Sequence, residues 1–493
     1  MIERFDVVIV GAGLSGIGAA CHLRRACPDK TFAVLEGREA IGGTWDLFRY
    51  PGIRSDSDMF TFGYNFEPWK GDKALADGPS IRAYVQDTAR KYGVDDRVRF
   101  GHRMTQASWS SADAEWTIEV TRSDGSSARF IAKFVWMCTG YYRYDAGHTP
   151  EFPGRERFRG RVVHPQHWPE DLDYSGQRVV VIGSGATAVT LVPAMADRAA
   201  HVTMLQRSPS YVLSRPAVDA VAMALRRVLP EKLAYALSRW KNVAMATFLY
   251  QMSRRRPEGM KKFLLAQVRR ALGPDHAVDP HFTPRYDPWD QRLCLVPDND
   301  LFVALRAGKA EVVTDSIETF TETGIRLRSG RELPADLVVT ATGLELLFLG
   351  GSALVVDGQA VELASRVGFK GFMLSDVPNF AFTVGYTNAS WTLRADLVAE
   401  HVCRLLRHMD RSGARQVVPR RSPGAGVTPF LDLSSSYVQR AVDRFPKQGT
   451  ESPWKVRQNY FADFRLLRLG RVDDPALEFS APADPAASER AGA

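Results

Sequence analysis

Two short glycine runs carry the first chemical signal in this sequence. Gly11-Ala12-Gly13-Leu14-Ser15-Gly16 follows the apolar run Phe5 to Val10 and opens a helical pattern that ends near Ala26, before Pro28. A second apolar run, Phe32 to Leu35, then delivers Glu36. Gly183-Ser184-Gly185-Ala186-Thr187-Ala188 repeats the arrangement after Arg178 to Ile182, and its next strand, Val202 to Leu205, runs into Gln206-Arg207-Ser208. In such a turn the first glycine (Gly11, Gly183) lets the chain bend tightly. The second (Gly13, Gly185) lets the backbone approach a pyrophosphate, and the third position (Gly16, Ala188) must be small so that helix packs on strand. The helix that follows presents free N–H groups and positive potential to phosphate. Each run predicts a dinucleotide phosphate site.

The residue that ends each second strand distinguishes the two sites. Glu36 can accept hydrogen bonds from the two ribose hydroxyls of an adenosine and would repel a 2′-phosphate. Arg207, with the Ser208 hydroxyl, can hold a 2′-phosphate through charge-assisted bonds. The first fold is therefore expected to take FAD, and the second NADPH rather than NADH.

The elements around these runs set the architecture. Arg97 to Phe134 alternates apolar and polar residues around an Asp124-Gly125 turn, which reads as an antiparallel insert returning through Phe134-Val135-Trp136-Met137 to Cys138-Thr139-Gly140. Glu311 to Leu333 reads the same way in the second fold, returning through Leu337-Val338-Val339 to Ala341-Thr342-Gly343. Pro216 to Leu272 reads as helical. The fold class expected is α/β: two dinucleotide-binding, Rossmann-like domains with small antiparallel inserts and a helical insert. The segments expected are 1–147 and 376–480 for the FAD domain, 148–215 and 287–375 for the NADPH domain, and 216–286 for the helical insert. Residues 481–493, rich in Ala, Pro and Ser, are expected to form a disordered tail.

Composition narrows the function classes. The net charge of +8 over 493 residues is too small to argue for nucleic acid, but it suits anionic small partners. Five scattered cysteines, Cys21, Cys27, Cys138, Cys294 and Cys403, form no C-x-x-C pair, which argues against a disulfide framework, a zinc site and a dithiol redox centre. Reduced, buried thiols fit a cytoplasmic location. No signal peptide and no apolar run long enough to span a membrane is legible.

Phe158-Arg159-Gly160-Arg161-Val162-Val163-His164-Pro165-Gln166-His167-Trp168-Pro169 matches F-x-G-x-x-x-H-x-x-x-W-P at all five fixed positions, the terminal proline included. This resembles the fingerprint of the type I Baeyer–Villiger monooxygenases. Gly42-Gly43-Thr44-Trp45 and Arg49-Tyr50-Pro51-Gly52-Ile53-Arg54-Ser55-Asp56 resemble that family's flavin-side loops. Asp287-Pro288-Trp289-Asp290-Gln291-Arg292 and Gly385-Tyr386-Thr387-Asn388-Ala389-Ser390-Trp391 resemble its actinobacterial, ethionamide-activating subgroup. The resemblance implies conversion of ketones to esters or lactones by NADPH, O₂ and a C4a-peroxyflavin, with sulfoxidation of thioethers or thioamides at the same site. The partners implied are O₂ and a small hydrophobic ketone or sulfur compound. Arg292 is implied as the active-site cation, with Asp56 as its carboxylate partner. Gly43, Thr44 and Trp45 are implied beside the flavin. Phe158, Gly160, His164, Trp168 and Pro169 are implied as a hinge between domains, not as a catalytic base. Gln291 stands where many relatives carry a lysine that grips the 2′-phosphate, which predicts weaker discrimination against NADH.

Two rival readings keep the flavin but change the chemistry. One is a flavin-containing monooxygenase restricted to N and S; Trp168-Pro169 and Arg292 weigh against it. The other is an FAD redox sensor that does not oxygenate; Arg292 and Asp56 weigh against that. The basic helical insert, with Arg254-Arg255-Arg256, Lys261-Lys262 and Arg269-Arg270, reads as a cap on the substrate cleft or as a surface for peripheral docking on an anionic membrane.

Overall fold

A computed structural model of the chain describes residues 2–422, 424–431 and 433–481. The tail expected from 481 onward lies, beyond Ala481, outside the described residues.

The first glycine run sits on a nine-stranded sheet. Its parallel part places Glu3–Val10 between Phe32–Leu35 and Ser127–Met137. Val7 and Ile9 point into one apolar core and Val8 and Val10 into another, so the strand is covered on both faces. That is why its inner half, Val7 to Val10, reads as unbroken valine and isoleucine rather than as an alternation, while Glu3 and Arg4 at its start are exposed. The Ser127–Met137 strand joins two regimes. Its first half pairs antiparallel with Glu115–Arg122 in the hairpin of the insert, and its second half pairs parallel with Phe380–Phe382. The turn at Asp124-Gly125 is as the sequence predicts, with Gly125 at φ +82°.

The second glycine run sits on a five-stranded parallel sheet in the order Ala310–Thr314, His201–Gln206, Arg178–Ile182, Leu337–Thr340, Arg161–Val163. Val179 and Val181 face one core, Val180 and Ile182 the other.

Three departures from the sequence reading arise from long-range pairing. Val98–Arg99, at the start of the first expected insert, is the parallel edge beyond Phe32–Leu35. Ala310–Thr314, at the start of the second, joins the parallel sheet beside His201–Gln206, so only Ile317–Thr321, Gly324–Leu327 and Glu332–Pro334 form the antiparallel insert. Ala353–Val356, expected in the second nucleotide domain, extends the first sheet by pairing with Gln106–Trp109. Each segment is short and β-branched, and nothing local tells it which sheet to join.

The helical insert comprises Ala220–Val228, Glu231–Arg255 and Pro257–Leu272. It is tied to the first fold by a buried charge cluster. Arg239 donates to the carbonyls of Phe60 (3.0 Å) and Gly63 (2.7 Å) and to Asp396 Oδ2 (3.1 Å). Asp396, on the helix Trp391–Ser412, also receives His22 Nε2 at 3.1 Å and the Asn65 N–H at 2.8 Å. Removing one member would leave a buried charge uncompensated.

The same helix carries His401, fully buried. Its Nδ1–H donates to the Leu467 carbonyl at 2.7 Å, while Nε2 has no partner among the described residues. Charging the ring would place a proton at that dry nitrogen, with Lys370 nearby. Burial and that lysine push the imidazole down to about 3. The unfolded chain therefore binds a proton that the native chain refuses between its ordinary value of 6.5 and about 3. Stability from this site is complete above that window and falls with pH by about 1.4 kcal/mol per unit inside it. Urea titrations at mildly acidic and neutral pH should show the slope in the parent chain and its loss in His401→Gln; equal slopes in both would discard this account.

Candidate active site

One cavity of about 540 Å³ gathers eight of the residues singled out in the sequence. Gly11, Gly13, Glu36, Gly43, Thr44, Trp45, Asp56 and Arg292 all line it. The start of the first motif helix, at Leu14 and Ser15, and the start of the second, at Ala186 and Thr187, open into the same space. Neither helix has a side-chain cap: each begins after a glycine, Gly13 or Gly185. Their first N–H groups are left for a ligand, as anion-binding helix ends require.

The glycines are needed where the chain passes close to itself. A Cβ on Gly11, at φ +104°, would lie 2.7 Å from the Cys138 carbonyl oxygen, and one on Gly183, at φ +144°, would lie 2.3 Å from that of Ala341. Both contacts are with the last turn of the returning strand, so the two folds solve the same crossing in the same way. Gly16 packs on Gly11, where an added Cβ would sit 1.7 Å from its oxygen. Gly43 packs directly against Gly13 at the cavity wall, its Cβ position 2.9 Å from Gly13 Cα. These two touching glycine strips and the bare helix end wall one side of a slot, where a pyrophosphate can lie against backbone and any side chain would intrude.

Glu36 is buried at the end of this slot. Its two carboxylate oxygens accept the N–H groups of Ala12 (2.6 Å) and Arg38 (2.9 Å). Burial raises its pKa despite these bonds. The turn carrying Gly43 is pinned by Asp46, which pairs with Arg38 (2.6 Å), Arg49 (2.8 Å) and Arg82 (3.3 Å). Burial works against the Asp46 charge, but the three guanidiniums outweigh it and hold the carboxyl low.

The loop from Arg49 to Asp56 joins the two folds. Tyr50 lies in the core of the second fold and hydrogen-bonds Thr187. Gly52 packs on Ala194, to within 2.5 Å of an added Cβ, so the loop lies flat on the helix Ala186–Ala196. Asp56 is thereby held at the mouth between the folds. Its Oδ2 is 4.0 Å from Arg292 Nη1. Partial burial disfavours the Arg292 charge, but the phenol oxygens of Tyr141 and Tyr437, the Asp56 carboxylate and the phenol oxygen of Tyr142 around it outweigh that and hold the guanidinium firmly protonated. Burial pushes the Tyr142 and Tyr437 phenols up to about 12, so these rings stay neutral beside the cation. The turn before Arg292 is fixed from two sides: Asp290 pairs with Arg254 at 2.7 Å, and its carbonyl accepts the Ser434 N–H (3.1 Å) and hydroxyl (2.8 Å).

Other expected residues stand outside the cavity. Arg207 is exposed at the end of its strand, with no hydrogen bond or ion pair among the described residues, and Ser208 beside it is exposed too. Gly185 has open space where a Cβ would be. Ala188 is fully buried under its helix. Gln291 is half-buried and bridges back to Pro288. His164 lies where the two connections between the folds pair, Tyr142–Gly147 with Leu344–Leu346. Its Nε2 is 3.2 Å from the Gly343 carbonyl, and its ring fills the place of a Gly147 side chain, 2.0 Å from an added Cβ. Burial lowers its pKa, so the ring is neutral. Phe158 packs on Phe320 with centroids 5.8 Å apart, Gly160 leaves room for the Phe158 ring, and Trp168, before Pro169, packs on Tyr174 at 6.4 Å. Sequence reasoning missed Tyr141, Tyr142 and Tyr437. The first two directly follow Gly140, the glycine at the strand end, and could have been found there; Tyr437 arrives from a distant segment with no motif.

Comparison with known proteins is consistent across methods of likeness. Residues 9–70 match the NAD(P)-binding Rossmann-like domain and residues 76–267 match flavin-binding monooxygenase-like proteins. The FAD-containing monooxygenase EthA of Mycobacterium tuberculosis is 55% identical over 483 residues, covering 97% of this chain and 98% of EthA. The putative FAD-containing monooxygenase MymA of the same organism is 54% identical over 491 residues, covering 98% of this chain and 99% of MymA. Among solved structures, an oxidised steroid monooxygenase bound to NADP superimposes with a TM-score of 0.77 at 21% identity, covering 97% of this chain and 99% of the other. Cyclohexanone monooxygenase from Rhodococcus sp. Phi1 bound to NADP⁺ does so at 0.74 and 19%, covering 98% and 100%. On its near-full-length identity to EthA and MymA, the chain belongs to the flavin-binding monooxygenase-like family, built on the fold of the Baeyer–Villiger monooxygenases.

Proposed function

We propose that this chain is an FAD- and NADPH-dependent Baeyer–Villiger monooxygenase that inserts oxygen beside the carbonyl of small hydrophobic ketones and also oxygenates sulfur in thioethers or thioamides. The observation that carries the reading is the Arg292–Asp56 pair, 4.0 Å apart in a cavity walled by the starts of both motif helices. FAD, once reduced by NADPH, supplies the activation of O₂. The chain does the rest. Glu36 holds the adenosine ribose of FAD, and the Gly13–Gly43 slot and the first helix end hold its pyrophosphate. Arg207 and Ser208 hold the 2′-phosphate of NADPH. Arg292 stabilises the negative charge that builds on the carbonyl oxygen of a ketone under attack, and Asp56 orients the guanidinium. His164, between Gly147 and Gly343, steadies the crossing of the two connections and takes no proton in the reaction. Five buried free thiols suit a reducing, cytoplasmic location.

The test is anaerobic reduction by NADPH, then mixing with oxygenated buffer in a stopped-flow cell, with product analysis. A transient absorbing between reduced and oxidised flavin, discharged faster by a simple ketone and yielding ester, is the expected result. Sulfoxide without any ester would leave an enzyme restricted to heteroatoms. Direct return to oxidised flavin with hydrogen peroxide, whatever substrate is present, would remove the oxygenase reading altogether.

A further inference from the structure

The long helix of the insert, Glu231–Arg255, is anchored by Arg239 on one side and presents an unusual surface on the other. From Leu233 to Phe248 its exposed positions are Leu233, Leu237, Trp240, Ala244, Met245 and Phe248, with no charged or polar residue among them. On a helix, steps of four, three, four and four residues keep 233, 237, 240, 244 and 248 on one stripe about 22 Å long. Soluble surfaces carry isolated apolar residues routinely, but a continuous stripe of this length marks a docking face. The patch continues onto the C-terminal part of the chain. Trp240 packs against Tyr460, Phe461 and Phe464, with centroids 5.7, 6.0 and 5.5 Å apart, and Leu469 beyond them is 69% exposed.

The charge around the stripe is one-sided. Ala220 to Leu272 holds twelve basic and two acidic residues, so this segment alone exceeds the net +8 of the chain. Arg227, Lys232, Arg255, Lys262, Arg269 and Arg270 are exposed. Of the two acids, Glu231 faces Lys70 at 3.7 Å and Glu258 stands alone at the start of the next helix. An apolar stripe with a tryptophan, flanked by cations, is the makeup of a helix that lies in the headgroup region of a bilayer. A second copy of the chain fits poorly: a twofold contact through this stripe would set the basic flank of one protomer against that of the other, with Glu231 already facing Lys70 and a single Glu258 left to receive the excess of cations. No helix among the described residues is long and apolar enough to cross a membrane, so the mode is lying on, not spanning.

We propose that the insert docks this protein on anionic lipid bilayers, with Leu233, Leu237, Trp240 and Phe248 sunk into the upper acyl chains just below the headgroups and the flanking lysines and arginines on the headgroups. The proposal is independent of the reaction assigned above. It predicts that the full-length holoprotein floats with vesicles of phosphatidylcholine containing about one-third phosphatidylglycerol at least tenfold more strongly than with phosphatidylcholine alone. At about 1 M NaCl, where charges are screened within about 3 Å, that preference should vanish while a weaker apolar component remains. Trp240→Ser with Phe248→Ser should lower partition onto the anionic vesicles by roughly tenfold or more. Arg255→Gln with Lys262→Gln should lower it by a similar factor, and Trp240→Phe should leave it nearly unchanged. NADPH oxidation in the absence of vesicles reports that each variant is folded. Equal partition of the unaltered protein on both vesicle types would overturn the proposal. So would serine variants that dissociate an oligomer in sedimentation without changing flotation, which would assign the stripe to a second copy.

Discussion

Replacing Arg292 with alanine should cut ketone oxygenation by roughly 10²- to 10³-fold while leaving the flavin bound and still reducible by NADPH. The guanidinium is the permanent cation placed in the cavity opposite Asp56, and Tyr141, Tyr142 and Tyr437 surround it. Arginine cannot give up its proton at neutral pH, so it adds fixed positive charge without acting as an acid. In a site walled by buried Tyr141 and half-buried Tyr142 and Tyr437, one preorganised group aimed at developing negative charge is worth roughly 10²–10³ in rate. The expected outcome for Arg292→Ala is a fall of that size in ester formed per second, with NADPH consumption diverted to hydrogen peroxide. Arg292→Lys keeps a charge but loses the planar fork, and should recover only part of the loss. Glu36 and the Gly13–Gly43 slot are untouched, so flavin content should stay at the parent level. An alanine variant that makes ester within tenfold of the parent rate, tightly coupled, would reduce Arg292 to a structural ion pair with Asp56.

The sequence announced the two glycine turns because they are local events. Strand, turn and helix lie within a few residues of one another, and a single Cβ at Gly11 or Gly183 would collide with backbone. The approach of Arg292 to Asp56 was not local, and only the family resemblance brought the two together beforehand. The structure adds the reason: the Tyr50–Asp56 loop lies on Thr190 and Ala194 of the second motif helix, so Asp56 is carried from the first fold to the second. What stayed illegible is long-range pairing. Ala310–Thr314 has the alternation of an insert strand, and its exposed Lys309 and half-buried Glu311 disguise its place at the edge of a parallel sheet, where one side is open to solvent. Ala353–Val356 joins a hairpin nearly 250 residues earlier, with Ser352 donating to the Met104 carbonyl at 2.9 Å to fix the register. Tyr437 reaches the Arg292 environment for the same kind of reason: Ser434 binds the Asp290 turn, which lays that segment across the site.

Arg207→Ala should separate the two nicotinamide cofactors. Arg207 ends the strand His201–Gln206, is exposed, and has no partner among the described residues, as a side chain waiting for an external anion should be. Ser184, in the glycine turn, donates its hydroxyl to the Ser208 carbonyl at 2.9 Å and lies 3.1 Å from the Ser210 hydroxyl, so the backbone that carries Arg207 is fixed to the glycine turn itself. A guanidinium–phosphate contact at a partly exposed site contributes about 1.5–3 kcal/mol, which is roughly a 10- to 100-fold change in affinity. KM for NADPH should rise within that range, kcat at saturation should hold, and KM for NADH, which has no 2′-phosphate to lose, should stay nearly constant. Raising the ionic strength should weaken NADPH binding in the parent more than in the variant, because the contact removed is between charges near the surface. Gln291, uncharged and folded back toward Pro288, offers no second cation in this region, so the preference should rest on Arg207 almost alone. If KM for both cofactors rises equally, Arg207 supports the fold of the turn rather than reading the phosphate. If neither moves, the 2′-phosphate is held elsewhere, and the assignment of the second fold to NADPH over NADH loses its physical basis.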